Sequence, residues 1–286
     1  MGSIRELTLR GMTRVAATKL VSRPGYPLRR FVRLIDPLIR LASPIPIPPE
    51  TLMYEGPKGA ALYLLNGFEY MAYLRNFCGM KQDTHILDIG CGVARKAGPI
   101  IWTLDASGSY NGFDIVADAI DWCNSRYGSR KNLKFVHADI VNGYYNPQGA
   151  GDASSFTFPY ASERFDILLA SSLFTHLLPA TTQQYLNEAR RVMRPEGHFL
   201  ATFFVLDEEV RRLIRQGQST YTFKHKAADC WLQHLNEPEH VVAYEKDLLE
   251  HMLLRSSFTI EDYLPGSWCG RSRYTAYQDI YILRPR

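Results

Sequence analysis

The stretch His85–Ile100, HILDIGCGVARKAGPI, constrains this chain most, because it reads in order as a buried strand, an acidic residue, a tight glycine turn and a helix start. His85, Ile86, Leu87 and Ile89 supply the strand. Gly90 and Gly92 let the backbone turn sharply and approach a ligand with no Cβ in the way. Ala94 stands where a third glycine is usual, and its methyl is small enough for the helix to pack closely on the strand. Such a unit builds a nucleotide-type cofactor site. Asp88 narrows the choice: a phosphate at the helix N-terminus is repelled by a neighbouring carboxylate, whereas a ligand carrying an ammonium group is attracted.

Further elements follow in register. Tyr110–Ile115, YNGFDI, reads as the second strand and ends in Asp114, about 20 residues beyond the glycine turn, the spacing at which a carboxylate meets a ribose diol. Leu133–Val136 is a third strand running into His137, Ala138 and Asp139, where Asp139 can accept from an adenine amino group. Phe165–Ala170, FDILLA, is the fourth, followed by Ser171, Ser172, Phe174, Thr175 and His176. Gln183–Met193 reads as an amphipathic helix closed by the turn Arg194–Gly197, and His198–Leu206 as a fifth strand. A helix is expected at Gly67–Cys78, with the last two strands at Thr259–Leu264 and Asp279–Leu283.

On these residues the chain resembles a class I S-adenosylmethionine-dependent methyltransferase: DIGCG, GFD, HAD, the FD strand and RVMRPEGHF stand in family order over Tyr70–Leu206. GFDIVADAIDWC, YNPQG, SLFTHLLP, PEHVVAYEKD and GSWCGR with YQDI are similar to one bacterial subgroup, often associated with surface-sugar or glycolipid assembly. The resemblance implies an α/β fold, a Rossmann-like, doubly wound, mostly parallel seven-stranded sheet with an N-terminal helical arm and a cap insertion. It implies S-adenosyl-L-methionine as cofactor, with Asp88 and the Gly90–Gly92 backbone at the methionine moiety, Asp114 at the ribose, and Asp139 with Ile140 at the adenine. Cys91, Ala94, Arg95, Ile115, Ser171 and Phe174 complete the expected cofactor set.

Length permits one domain with appendages, expected as a basic arm and linker over residues 1–50 and a catalytic domain over 51–286. Residues 140–162 form a long irregular insertion rich in Gly, Asn, Ser and aromatics, of the kind that is usually functional. Residues 207–255 read as a cap over the substrate. Cys78, Cys91, Cys123, Cys230 and Cys269 show neither CxxC spacing nor an even count, which suits a reducing compartment better than a disulfide framework. No apolar run is long enough to span a bilayer and no signal-peptide core is evident, so a cytoplasmic protein is expected. Residues 1–40 carry nine bases against two acids, hence +7, while the rest of the chain balances at −3. Within them, Leu28–Leu41 mixes apolar residues with arginines. It reads either as an amphipathic cap packed on the domain or as peripheral contact with an anionic membrane; nucleic acid is not the expected partner. Ala42–Glu50, ASPIPIPPE, is a stiff proline-rich linker.

Methyl transfer needs a nucleophile aligned with the sulfonium and shielded from water. A hydroxyl acceptor, on a sugar, glycolipid or related small molecule, also needs a base. His176 is the first choice because the loop after the fourth strand lies where ligands collect, with His240 and Tyr244 next. Trp268, Arg271 and Tyr277 form the expected aromatic and guanidinium wall for the acceptor. No sequence cluster of carboxylates or histidines calls for a metal. Nitrogen or carbon acceptors, a nicotinamide-dependent oxidoreductase and a non-catalytic scaffold stand as alternatives.

Overall fold

The computed structural model describes residues 27–286, so most of the basic arm lies outside the described residues. In chain order the first half contains α1 (Pro27–Ala42), α2 (Ala60–Phe77), β1 (His85–Ile89), α3 (Ala97–Ile101), β2 (Ser109–Asp114), α4 (Ala117–Tyr127), β3 (Leu133–His137) and β4 (Phe165–Ala170). The second half contains α5 (Pro179–Val192), β5 (Met193–Phe203), β6 (Val205–Leu206), α6 (Glu208–Arg215), β7 (His225–Ala227), β8 (Cys230–Leu232), β9 (Val242–Glu245), α7 (Lys246–Arg255), β10 (Phe258–Leu264) and β11 (Asp279–Pro285).

The main sheet has the order β10-β11-β5-β4-β1-β2-β3. Strands β1 to β5 pair in parallel, and β11 runs antiparallel to both β5 and β10. The expected doubly wound seven-stranded α/β sheet is therefore present. Because side chains alternate across a strand, Ile86 and Leu87 enter different cores. Ile86, Tyr110 and Ile167 pack with α2, α3 and α4 on one face; Leu87, Phe113 and Leu168 pack with α5 and α7 on the other. Covering both faces explains the nearly continuous apolar character of β1, β4 and β5. The order reverses between β1 and β4, which opens a crevice at the carboxyl ends of these strands.

Three elements differ from the sequence expectation. Helix α2 begins at Ala60, and Gly67 sits at its middle. A Cβ on Gly67 would lie 2.7 Å from the carbonyl oxygen of Arg95 and 2.7 Å from Pro99, so the glycine serves close approach of α2 to the glycine turn. The expected turn Arg194–Gly197 is absorbed into β5, which pairs from Met193 and shifts register opposite Phe165 and Ile167. The region 207–255 divides in two. Strands β6, β9, β8 and β7 form a small second sheet, and with α6, whose first turn is capped by Asp207 accepting from the Val210 amide at 2.7 Å, they enclose Phe204, Val210, Phe223 and Trp268. Helix α7 instead places Leu249, Met252 and Leu253 in the main core. All five cysteines are buried and unpaired.

Gly67→Ala is expected to lower stability by about 1–3 kcal/mol through overpacking, the reverse of the gain of up to about 1 kcal/mol that alanine brings at an open helix site. Denaturant unfolding of the two proteins checks the sign.

Candidate active site

The turn after β1 is held by the end of β2. The amides of Gly90 and Cys91 both donate to the Phe113 carbonyl, at 3.0 and 3.1 Å. The Gly92 amide donates to Asp114 Oδ2 at 2.7 Å, and the Val116 amide to Asp114 Oδ1 at 2.9 Å. Gly90 at φ +74° and Gly92 at φ +50° occupy the left-handed region that glycine adopts without strain. Ala94 adopts it too, at φ +54°, a conformation that costs a non-glycine residue about 1–2 kcal/mol. The chain thus keeps the backbone of the missing third glycine while burying a methyl group. Gly112 on β2 has its own reason: a Cβ there would lie 2.8 Å from Cys91 Sγ, so its absence seats the Cys91 side chain against the sheet.

Above this turn lies a cavity that is partly open to solvent. Four parts of the chain wall it. The ends of β1 and β2 contribute Gly90, Phe113, Asp114, Ile115 and Val116; the insertion after β3 contributes Ile140, Val141, Asn142, Tyr145 and Ala153. The segment after β4 and helix α5 contribute Ser172, Leu173, His176, Leu177 and Tyr185. Tyr54 and Glu55 close the fourth side. They arrive on a strap before α2 that the buried Arg95 anchors, donating to the carbonyls of Glu55 at 2.5 Å and Pro57 at 3.0 Å. Across the top, the Gly143 amide donates to Glu239 Oε2 at 2.5 Å, joining the insertion to the cap.

Among the titratable groups that burial displaces from their ordinary behaviour in the wall are Asp114 and His176. Asp114 is pushed up to about 6 by desolvation, which its two amide donors only partly offset. His176 is pushed down by desolvation, so it stays neutral near pH 7. Its Nδ1 lies 3.2 Å from the Glu239 carbonyl oxygen, which can only accept, so the ring proton sits on Nδ1. Nε2 is left as an acceptor facing the Tyr145 hydroxyl, 3.5 Å away at the cavity wall.

Of the residues expected from sequence, Gly90, Asp114, Ile115, Ile140 and His176 line the cavity. Asp88 does not: it is buried beneath the turn, where Oδ2 accepts from the Tyr110 hydroxyl at 2.5 Å and Oδ1 has no hydrogen-bond partner among the described residues. Desolvation raises its carboxyl to about 6. Cys91, Gly92, Ala94 and Arg95 build the turn and hold the strap from behind. Ser171 donates to the Tyr70 hydroxyl at 2.6 Å, and Phe174 stacks on Phe203 at 4.8 Å between ring centroids, so their neighbours Ser172 and Leu173 form the wall instead. The Asp139 side chain is exposed, with Asn146 Nδ2 at 3.4 Å from it.

The second and third catalytic expectations are corrected similarly. Tyr244 is fully buried, donating to the Leu177 carbonyl at 2.6 Å and bonded to Thr182 at 2.8 Å. His240 packs with its ring tilted against Tyr144, 4.7 Å between centroids, outside the cavity wall. The expected acceptor wall is a structural joint: Trp268 Nε1 donates to Asp279 Oδ2 at 2.6 Å, and Arg271 pairs with Asp279, Asp207 and Glu209 at 3.0, 2.7 and 3.0 Å. Tyr277, partly exposed, packs by its ring edge on Phe204. Sequence reasoning missed Tyr54, Glu55, Tyr145 and Tyr185. The insertion itself signalled Tyr145, whereas nothing local marks the strap. Among the described residues no three His, Cys, Asp or Glu side chains converge as a metal site.

Residues 80–256 match the profile of the methyltransferase-domain family, more than half of the chain, and the protein belongs to that family. Its fold is that of a class I methyltransferase and its cofactor is S-adenosylmethionine. The chain is 32% identical over 121 residues to a fatty-acid O-methyltransferase of Mycolicibacterium smegmatis, covering 42% of this chain and 37% of that protein. It is 27% identical over 146 residues to a tRNA N(3)-cytidine methyltransferase of Gallus gallus, covering 50% of this chain and 36% of that one. The chain thus matches little more than a third of the length of these curated relatives. In fold it is similar to a Pyrococcus horikoshii OT3 protein (20% identity, TM-score 0.52, 77% of this chain and 90% of that one). It is also similar to the Burkholderia thailandensis 1,6-didemethyltoxoflavin-N1-methyltransferase solved with its acceptor and S-adenosylhomocysteine (16% identity, TM-score 0.50, 78% of each chain).

The donor set fits this cofactor. Asp114 faces the cavity with lone pairs beyond those its two amides occupy, and the side-chain-free Gly90 leaves room beside it. Asp114→Ala is expected to weaken S-adenosylmethionine binding by about 1.5–3 kcal/mol, the range for hydrogen bonds to a charged group. Because a protonated carboxyl loses that strength, affinity of the parent should fall as pH drops through about 6, and Asp114→Asn should flatten that dependence; calorimetry across this range measures both. Arg271→Ala, which strands the buried Asp279 carboxylate, should instead lower stability by about 3–5 kcal/mol in thermal unfolding, with cofactor affinity little changed.

Proposed function

We propose that this protein transfers the methyl group of S-adenosylmethionine to a hydroxyl oxygen of a small molecule, a sugar, glycolipid or related amphiphile, with His176 as the base. The observation that carries this reading is His176 itself, a half-buried neutral imidazole at the cavity wall with its proton committed to the Glu239 carbonyl and Nε2, beside the Tyr145 hydroxyl, left to accept. The cofactor, when bound, supplies an electrophilic methyl group on a sulfonium sulfur. Asp114 and the glycine turn hold it. The insertion and the cap, joined through Gly143 and Glu239, limit the water around the acceptor. With the donor bound, His176 would take the hydroxyl proton on Nε2 as the methyl carbon passes from the sulfonium to the oxygen, its bond to sulfur breaking and leaving a neutral thioether, and the Glu239 carbonyl would steady the resulting imidazolium through Nδ1–H.

The mostly apolar wall, with Ile115, Val141, Leu173 and Leu177, suits an acceptor with an apolar part, and the fatty-acid relative methylates an oxygen. The domain reading is part of the proposal: residues 51–286 act as the catalytic unit, with the 140–162 insertion at the acceptor cavity and the cap tied to it through Glu239. We place the protein in a reducing, cytoplasmic setting, which five unpaired cysteines suit.

A labelled methyl donor offered with a panel of sugars, glycolipids and fatty acids tests the acceptor class. With the accepted compound, His176→Ala should lower turnover by ~10²-fold while cofactor affinity holds. In the parent, turnover should rise with pH through a midpoint below the usual histidine value of 6.5, because only the neutral ring accepts a proton, and the variant should lose this limb. Turnover independent of His176 would assign an acceptor that ionises without help, such as a carboxylate, and overturn the hydroxyl reading.

A further inference from the structure

We propose that α1 is a docking surface for an anionic lipid membrane. Two of its polar residues, Asp36 and Arg40, face inward: Asp36 accepts from the Ala60 amide at the start of α2 and pairs with Arg40 Nε at 2.7 Å, while Arg40 Nη1 donates to the Pro48 carbonyl at 2.8 Å. These bonds fix the helix to α2 and to the proline-rich linker. They leave Leu34, Leu38 and Leu41 turned outward, 77%, 65% and 86% exposed. The spacing i, i+4, i+7 puts all three on one face, so this amphipathic helix presents its leucines away from the protein, the reverse of an ordinary surface helix. Isolated exposed leucines need no explanation, but a stripe of three along one helix face marks a contact surface.

Charge selects the occupant. Asp36 is the sole acid in α1 and is already paired with Arg40, whereas Arg29, Arg30 and Arg33 stand in the turns just before Leu34. They continue the basic run of residues 1–40, nine bases against two acids beside a slightly acidic remainder of the chain. A second copy of the same face would bring like charges together, and a nucleic acid would make no use of a leucine stripe. A membrane surface satisfies both features at once: leucines enter the boundary between headgroups and acyl chains, and arginines meet anionic headgroups. The inference does not depend on the methyl-transfer reading, although it would bring an amphiphilic acceptor within reach.

The test is co-sedimentation of the full chain with vesicles of phosphatidylcholine alone or with about 30% phosphatidylglycerol. The anionic vesicles should bind it at least about tenfold more tightly than the neutral ones, and about 0.5 M salt should remove most of that preference. The triple substitution Leu34→Ser, Leu38→Ser, Leu41→Ser should lose at least about tenfold in vesicle affinity. Its melting temperature and calorimetric S-adenosylmethionine affinity should stay as in the parent, since the three side chains are exposed; that affinity separates failure of this inference from failure of the cofactor assignment. Four results would each overturn the proposal: no binding to anionic vesicles, equal binding by the triple variant, a dimer that the variant dissolves, or a melting temperature lowered by the variant, which would mean that another part of this chain covers the stripe. RNA binding by a chain that ignores vesicles would reassign the basic arm to nucleic acid.

Discussion

Pinning of the glycine turn to the end of β2 is the constraint on which the rest of the site depends. Three amides of the turn are committed to Phe113 and Asp114, so the backbone after β1 has one path, and that path leaves open space at the carboxyl ends of β1, β2 and β4. Side-chain volume is removed where two pieces of backbone or a thiol must meet, at Gly112 under Cys91 and at Gly67 under Arg95 and Pro99. Asp114 is buried because it completes the turn. Its raised proton affinity follows from that burial, and a ligand able to donate to it would relieve the imbalance.

Residues that resemble cofactor ligands in sequence act instead one layer back. Arg95 makes no wall of its own, yet by holding the carbonyls of Glu55 and Pro57 it brings Tyr54 and Glu55 over the turn. Asp88 orders Tyr110 beneath it. This division follows from electrostatics: a guanidinium with several donors can tie carbonyls of a distant segment, while a carboxylate deep under the turn binds what the sheet supplies.

The cap is fastened at both ends. On β11, next to the edge strand, Asp279 collects Trp268, Arg271 and the amides of Val205 and Gly266, so the joint between the small sheet and β11 is a buried, fully bonded charge cluster. At the cavity edge the fastening is lighter, through Gly143, Glu239 and His176. A rigid joint behind and a lighter closure in front let the cap hold its position while the rim above the cavity remains the part that can yield to an acceptor.

What the sequence by itself determined are the local and periodic features: five parallel strands, the glycine turn with Asp114 at its ribose spacing, and His176 after β4. These follow from apolar runs, turn residues and short separations, which are set by backbone chemistry within a few residues. Only the tertiary structure decided which side chains face the cavity. Tyr54 and Glu55 arrive from a strap far upstream, Tyr185 from the next helix, and Trp268, Arg271 and Tyr244 turn away into buried bonds. It also decided that the leucines of α1 face outward, because Asp36 and Arg40 claim the inner side. Periodicity tells which residues share a face; where that face points depends on packing between segments distant in sequence.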